Sequence, residues 1–158
     1  MPAYYCKQVA SFLRDSNSGI VGDLVAANSR ARFLQVEHSQ TDVWQSEIAV
    51  LQSALREVSH RNPHCANWGL ALEFPVPRRL RRADVVVLAG ELIVVLEFKT
   101  GVADLASVRQ VEEYALDLRD FHSESLGHRI QPAVVSCTRK FPAQLEYHST
   151  EVQSVRWI

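Results

Sequence analysis

Apolar positions along this chain recur at two different periods. Trp44, Ile48, Leu51, Leu55 and Val58 follow one another at three- and four-residue steps. That spacing predicts an amphipathic helix over 42–60, capped by Thr41 or Asp42 and stopped at Asn62-Pro63. Downstream the pattern changes to short apolar runs, which predict strands at about 68–74, 82–88 and 92–99. The runs Val85-Val86-Val87-Leu88 and Leu92-Ile93-Val94-Val95-Leu96 have no polar alternation, as expected of strands covered on both faces. Asp104 is placed to cap a long helix to about Phe121, and Pro132–Cys137 reads as a last buried strand. Upstream, residues 3–14 place Tyr5, Val9, Phe12 and Leu13 on one side of a short helix. Ser16-Asn17-Ser18-Gly19 reads as a break, and 20–36 as a second helix. Strands mixed with helices in this order predict an α/β fold with a mixed sheet.

Composition narrows the class. A chain of 158 residues suits one domain with a sizeable core. We read 1–40 as an N-terminal helical extension, 41–137 as the core and 138–158 as a tail. No apolar run approaches the roughly 20 residues of a membrane helix, and Met1-Pro2-Ala3-Tyr4 begins no signal peptide. Cys6, Cys65 and Cys137 are scattered and odd in number, the usage of reduced thiols in a cytoplasm. A formal net charge of −1 leaves any nucleic-acid affinity to a local patch. The densest is Arg78, Arg79, Arg81 and Arg82, which lends itself to phosphate contacts. No Gly-rich phosphate loop and no G-x-S-x-G elbow is present. His60, His64 and Cys65 do not make a zinc site, because Pro63 interrupts the helix and a fourth ligand is missing.

The unusual chemistry lies in the hairpin. Asp84, Glu97 and Lys99 sit in runs that are otherwise apolar, and buried charges need partners or a metal. A two-residue Ala89-Gly90 turn puts Leu88 opposite Glu91, Asp84 opposite Val95 and Arg82 opposite Glu97. Asp84, Val95, Glu97 and Lys99 then share one face. Asp84 and Glu97 become diagonal neighbours about 7–8 Å apart, within reach of one divalent cation. Carboxylate oxygens favour Mg²⁺ or Mn²⁺ over zinc. Glu47, beside the apolar stripe of the 42–60 helix, lies near the sheet these residues occupy. Gln110 and Tyr114 are four apart, on one face of the last helix.

Asp84 followed by Glu97-x-Lys99 at the end of the next strand resembles the PD-(D/E)xK nuclease superfamily. Glu97-Phe98-Lys99-Thr100-Gly101 with Gln110-x-x-x-Tyr114 is similar to its RecB-type branch. Further features resemble the N-terminal nuclease-like domain of bacterial Schlafen-related DNA/RNA helicases. They are Tyr4-Tyr5, Phe12-Leu13, Trp44-x-x-Glu47-Ile48, Glu73-Phe74-Pro75-Val76-Pro77 and Arg82-Ala83-Asp84. The resemblance covers about residues 4–137, with Ala83 where the superfamily name has proline.

The resemblance implies a restriction-endonuclease-like αβββαβ core whose mixed sheet is flanked by helices, with N-terminal helices added. It implies a Mg²⁺- or Mn²⁺-dependent nuclease acting on DNA, with RNA left open. Asp84, Glu97 and the Phe98 carbonyl would hold the ion, and Glu47 would contact it directly or through water. Lys99 would orient or deprotonate the attacking water, and Gln110 and Tyr114 would hold nucleic acid or support the lysine. It also implies a helicase or ATPase partner. The ending Val155-Arg156-Trp157-Ile158 is apolar and calls for a fold-back strand or a partner surface, as a module of a larger machine would need. A competing expectation is a nucleic-acid-binding or docking module that keeps the fold without cutting.

Overall fold

The computed structural model describes residues 2–32, 38–78, 81–99, 101 and 104–136, together with the backbone of 156–157. Six strands form one sheet in chain order: β1 Tyr5–Gln8, β2 Gly69–Pro75, β3 Arg82–Ala89, β4 Leu92–Lys99, β5 Arg129–Ser136 and β6 Arg156–Trp157. β1 to β4 are antiparallel neighbours, whereas β4–β5 and β5–β6 are parallel. Four α-helices accompany them: α1 Val9–Arg14, α2 Asn17–Arg32, α3 His38–Arg61 and α4 Leu105–Phe121. From α3 onward the order is helix, three antiparallel strands, helix, parallel strand, the αβββαβ arrangement of a restriction-endonuclease-like core.

Burial explains the layering. Trp44, Ile48, Leu51 and Leu55 of α3 join Phe12, Ile20 and Leu24 over one sheet face, against Leu70, Leu72, Val85, Val87, Leu96 and Phe98. On the other face α4 lays Val108, Val111, Tyr114, Ala115 and Leu118 against Val86, Ile93, Val95 and Val134. The central strands are therefore covered on both sides, which is why their sequences lack polar alternation. Asp104 caps α4 as its sequence position predicts, its Oδ1 accepting the Ser107 N–H at 2.8 Å. Buried Gln52 of α3 donates to the carbonyls of Phe12 and Asp15 at 2.9 and 3.0 Å, satisfying the end of α1.

Several boundaries differ from the sequence expectation. Residues 5–8 are a strand, not the start of a helix. Tyr5 turns inward, the next three residues face out, and the segment covers the free edge of β2. The supposed extension thus contributes to the central sheet. α2 begins at Asn17 because Ser16 Oγ accepts the Gly19 N–H at 3.1 Å, making the expected break a cap. It is described to Arg32, so the remainder of the predicted 20–36 helix lies outside the described residues. α3 begins at His38, before Thr41 and Asp42, so the 40/41 division falls within a helix. The final run starts at Arg129 rather than 132, and Cys137 lies outside the described residues. At the end of the chain, Arg156–Trp157 pairs with β5, the fold-back alternative at the level of the backbone.

The β3–β4 turn is also displaced. Ala89 pairs with Leu92, so Gly90-Glu91 is the two-residue loop. Primed hairpin turns need positive φ at their first central residue, and Gly90 supplies φ 68° there. The register moves by two residues from the expected one, placing Val86 opposite Val95. Arg82 therefore does not oppose Glu97.

Candidate active site

The site begins where two strands turn over together. In β2, Leu70 and Leu72 face α3, whereas Phe74 packs with the α4-side cluster. In β3, Val85 and Val87 face α3, whereas Ala83 is buried on the α4 side. The switch falls at Glu73 and Asp84, between the rungs Leu72↔Val85 and Phe74↔Ala83. Glu73 has φ 53°, a left-handed conformation that side-chain-bearing residues seldom adopt. Such breaks in alternation re-aim side chains near functional sites.

The register of β3 with β4 is recorded only up to Val85↔Leu96. Beyond it, Asp84 Oδ2 accepts the Phe98 N–H at 2.7 Å. A side-chain carboxylate thus stands where a ladder carbonyl would otherwise receive that N–H. Asp84 enters from the cleft beneath α3, while Glu97 keeps the α4 side. Asp84 thus reaches the end of β4 from an interrupted strand rather than from one face of a regular hairpin, and the Glu97 charge acts on it.

Glu97 is buried, at 4% exposure. Its Oε1 accepts from Lys99 Nζ at 3.0 Å and from Gln110 Nε2 at 2.5 Å. Gln110 also donates to the Tyr114 hydroxyl at 2.9 Å. The i, i+4 pair on α4 therefore acts as one unit on Glu97, with the Tyr114 ring fixed in the core. Among the described residues, Glu97 Oε2 is buried and has no hydrogen-bond partner. An orphaned buried carboxylate oxygen is costly and calls for a ligand.

On the other side Trp44, Glu47, Glu73 and Asp84 line a narrow cleft of about 10 Å³, roughly the space of one water molecule. Trp44 Nε1 donates to Glu73 Oε1 at 2.8 Å. Burial, then the charges of Glu73 and Glu97, push the Glu47 carboxyl up to about 8. Burial likewise raises Asp84, helped by the charges of Glu97 and Glu47. Glu97 is raised by burial, although its bond to Lys99 opposes the shift. For Lys99 burial works downward, but the bond to Glu97 and the surrounding acids raise it overall. Tyr114 is raised by burial and by the Glu97 charge. Four acids thus share one electrostatic neighbourhood. Among the described residues no three His, Cys, Asp or Glu side chains gather into a ready-made metal-ligand group.

Glu73 was not among the residues singled out for chemistry. Its signal was present: an acid inside the apolar strand run Leu70–Phe74. The described arginines of the run each engage different neighbours. Arg82 lies over the Tyr4 ring at 3.8 Å and donates from Nη1 to the carbonyls of Pro2 and Glu73. Arg78, at φ 61°, covers the exposed Phe121 ring at 4.3 Å. Arg81 is exposed, and its charge acts on Glu97 and Tyr114. Arg79 lies outside the described residues. No helix among the described residues is long and apolar enough to cross a membrane.

No family model and no curated protein matches the sequence. Among solved structures, the chain is similar to a repair endonuclease from Pyrococcus abyssi, with 25% identity and a TM-score of 0.36. That match covers 54% of this chain and 37% of the endonuclease. It is also similar to EndoMS in a complex with double-stranded DNA, with 24% identity and a TM-score of 0.31, over 53% of this chain and 34% of EndoMS. The matched region thus spans about a third of each neighbour's length.

Proposed function

We propose that this chain is a divalent-metal-dependent nuclease domain that hydrolyses phosphodiester bonds in DNA. The observation that carries the reading is the convergence of Asp84, Glu97 and Lys99 at the opened end of β3 and β4, with Glu97 Oε2 buried and unpaired among the described residues. The donor set is all oxygen, which suits Mg²⁺ or Mn²⁺. Asp84, Glu97 and the Phe98 carbonyl would hold the ion, with Glu47 completing or orienting the shell. When bound, such an ion lowers the pKa of water and stabilises charge on the phosphate.

The remaining work belongs to the chain. Gln110 and Lys99 fix Oε1 of Glu97, which leaves Oε2 directed by default to a ligand. Lys99, partly exposed and carrying its charge beside Glu97, orients the attacking water and offsets negative charge growing on the phosphorus oxygens. Tyr114 holds Gln110 in place from the core. The choice of DNA, the RecB-type and Schlafen-related affiliation, and a helicase or ATPase partner rest on the sequence resemblance. So does the expectation that the isolated domain cuts weakly and is helped by a motor or a preopened substrate.

The test is incubation of the purified chain with end-labelled single- and double-stranded DNA and RNA, with and without Mg²⁺ or Mn²⁺. Metal-dependent fragments from DNA support the reading. Absence of cutting on every substrate overturns it. The lack of a ready-made three-acid cluster among the described residues favours a second reading, a docking module that binds without cutting. Titration calorimetry separates the two, because an active site binds one or two ions and a docking module binds none.

A further inference from the structure

A second cavity lies beyond the acidic cleft on the α2 side. It encloses about 380 Å³ between the N-terminal segment and the second half of α2, and Tyr4, Ala27, Arg30, Ala31 and Arg82 line it. That volume lies within the range of small-ligand sites, roughly 300–1,000 Å³. Its walls pair an aromatic ring with two arginines, and among the described residues no acidic side chain lines it. The Tyr4 hydroxyl donates to Asn28 Oδ1 at 3.0 Å, so the ring is fixed to α2. Arg82 lies over that ring at 3.8 Å. Both of its described hydrogen bonds leave from Nη1, so the guanidinium keeps Nε–H and Nη2–H₂ for an anion. Arg30 is exposed on α2.

The cavity and the acidic cleft are joined twice. Arg82 holds the carbonyl of Glu73, whose side chain lines the cleft. Leu24 lines the cleft and Ala31 the cavity, seven residues apart on α2, or about 10 Å along its axis. A strand whose scissile phosphate met the acids at the mouth of the cleft would reach the cavity within a few nucleotides. We propose that this cavity is a nucleotide subsite. It takes one nucleotide of the bound strand beside the cut, with Arg30 and Arg82 on its phosphate. The proposal rests on the nuclease reading above.

The probe is a fluorescent single-stranded DNA oligonucleotide, titrated by anisotropy in Ca²⁺ over a series of salt concentrations, with cleavage in Mn²⁺ measured separately. Arg30→Glu and Ala31→Glu change exposed positions of α2 and place negative charge at the cavity. Each should weaken binding at least fivefold, and Arg30→Glu should reduce the salt slope by about one. If both α2 variants bind with wild-type affinity and slope, the subsite is wrong while the nuclease reading stands on its cleavage. Weakened binding by the variants, in a protein that cuts nothing, keeps the subsite and removes the nuclease reading. A wild-type chain that binds no oligonucleotide removes both.

Discussion

Glu73 and Asp84 both lie between the rungs Leu72↔Val85 and Phe74↔Ala83, where β2 and β3 exchange faces together. A regular strand would send Asp84 to the α4 side with Val86. The exchange sends it instead to the cleft beneath α3, where Glu47 waits, and lets its Oδ2 take the Phe98 N–H. Glu73 accepts a left-handed backbone to make this turn, and two contacts hold it there: Trp44 on its carboxylate and Arg82 on its carbonyl. Local strain of this type persists only where neighbours over-determine it. The distortion is what brings acids from a helix and three strands into one field.

That field makes stability depend on pH in an uncommon direction. Glu47 is raised to about 8 from an ordinary 4.5, and Asp84 and Glu97 are raised too. Between those values the folded chain binds more protons than the unfolded one. The associated stability is fully present below pH 4.5 and lost as pH rises through 8. The depressed acids Asp15, Asp104 and Asp120 act at lower pH, and Lys99 acts above this window. Thermal melts in EDTA should therefore show Tm falling from pH 5 to pH 9. Mg²⁺ should raise Tm more at pH 8 than at pH 5.5, because it competes with protons for the same oxygens. A metal-free Tm that is flat or climbs over this range counts against the cluster.

Substitutions at the three central residues should separate metal binding from chemistry. Asp84→Ala, Glu97→Ala and Lys99→Ala should each lower cleavage by at least about 100-fold. The two carboxylate changes should also weaken Mn²⁺ binding by calorimetry, whereas Lys99→Ala should leave it within about threefold. Lys99→Ala with wild-type cleavage would remove the lysine from the mechanism.

The αβββαβ order was legible because its evidence is local. The stripe Trp44–Val58, the apolar runs of β3 and β4, and the Asp104 cap each state their element within a few residues. Strand β1 was not legible. Tyr5–Gln8 shows the periodicity of neither element clearly, and the segment is a strand because the edge of β2 needs a partner. The turn was misplaced by one residue because Ala89-Gly90 and Gly90-Glu91 both contain the glycine, and only the sign of φ at the first position decides. Parity survived this shift of two residues, but the exchange of faces at Asp84 then overrode parity. Nothing within β3 announces that exchange. It depends on Glu73 in the neighbouring strand and on the contacts that Trp44 of α3 and Arg82 make with it, which only the fold brings together.

The α4 pair should behave as one support for Glu97. Tyr114→Phe removes the hydroxyl that receives Gln110, and Gln110→Ala removes a donor from Glu97 Oε1. Each should cost about 1 kcal/mol in urea unfolding. Gln110→Ala should reduce kcat about tenfold, and Tyr114→Phe should reduce it less. The double variant should cost less than the sum, because both act through one hydrogen-bonded chain. Strict additivity in stability and rate would show that Tyr114 only fills the core.

The last prediction concerns the anchor of the turned-over rung. Trp44→Phe keeps an aromatic ring in the core but deletes the Nε1–H that holds Glu73 Oε1. Glu73→Gln keeps the shape, removes one negative charge and retains an oxygen for Trp44. If Glu73 supplies the first of the charges acting on Glu47, Glu73→Gln should move the Glu47 titration below its value of about 8. That shift is measurable by carbon NMR of labelled glutamate carboxyls in the metal-free protein. Trp44→Phe should destabilise by about 1 kcal/mol, because the partly buried Glu73 carboxylate loses one of its donors. The double variant should show a coupling of at least about 0.5 kcal/mol in a thermodynamic cycle. An unmoved Glu47 titration together with zero coupling would show that Glu73 stands in the cleft without acting on the acids around it.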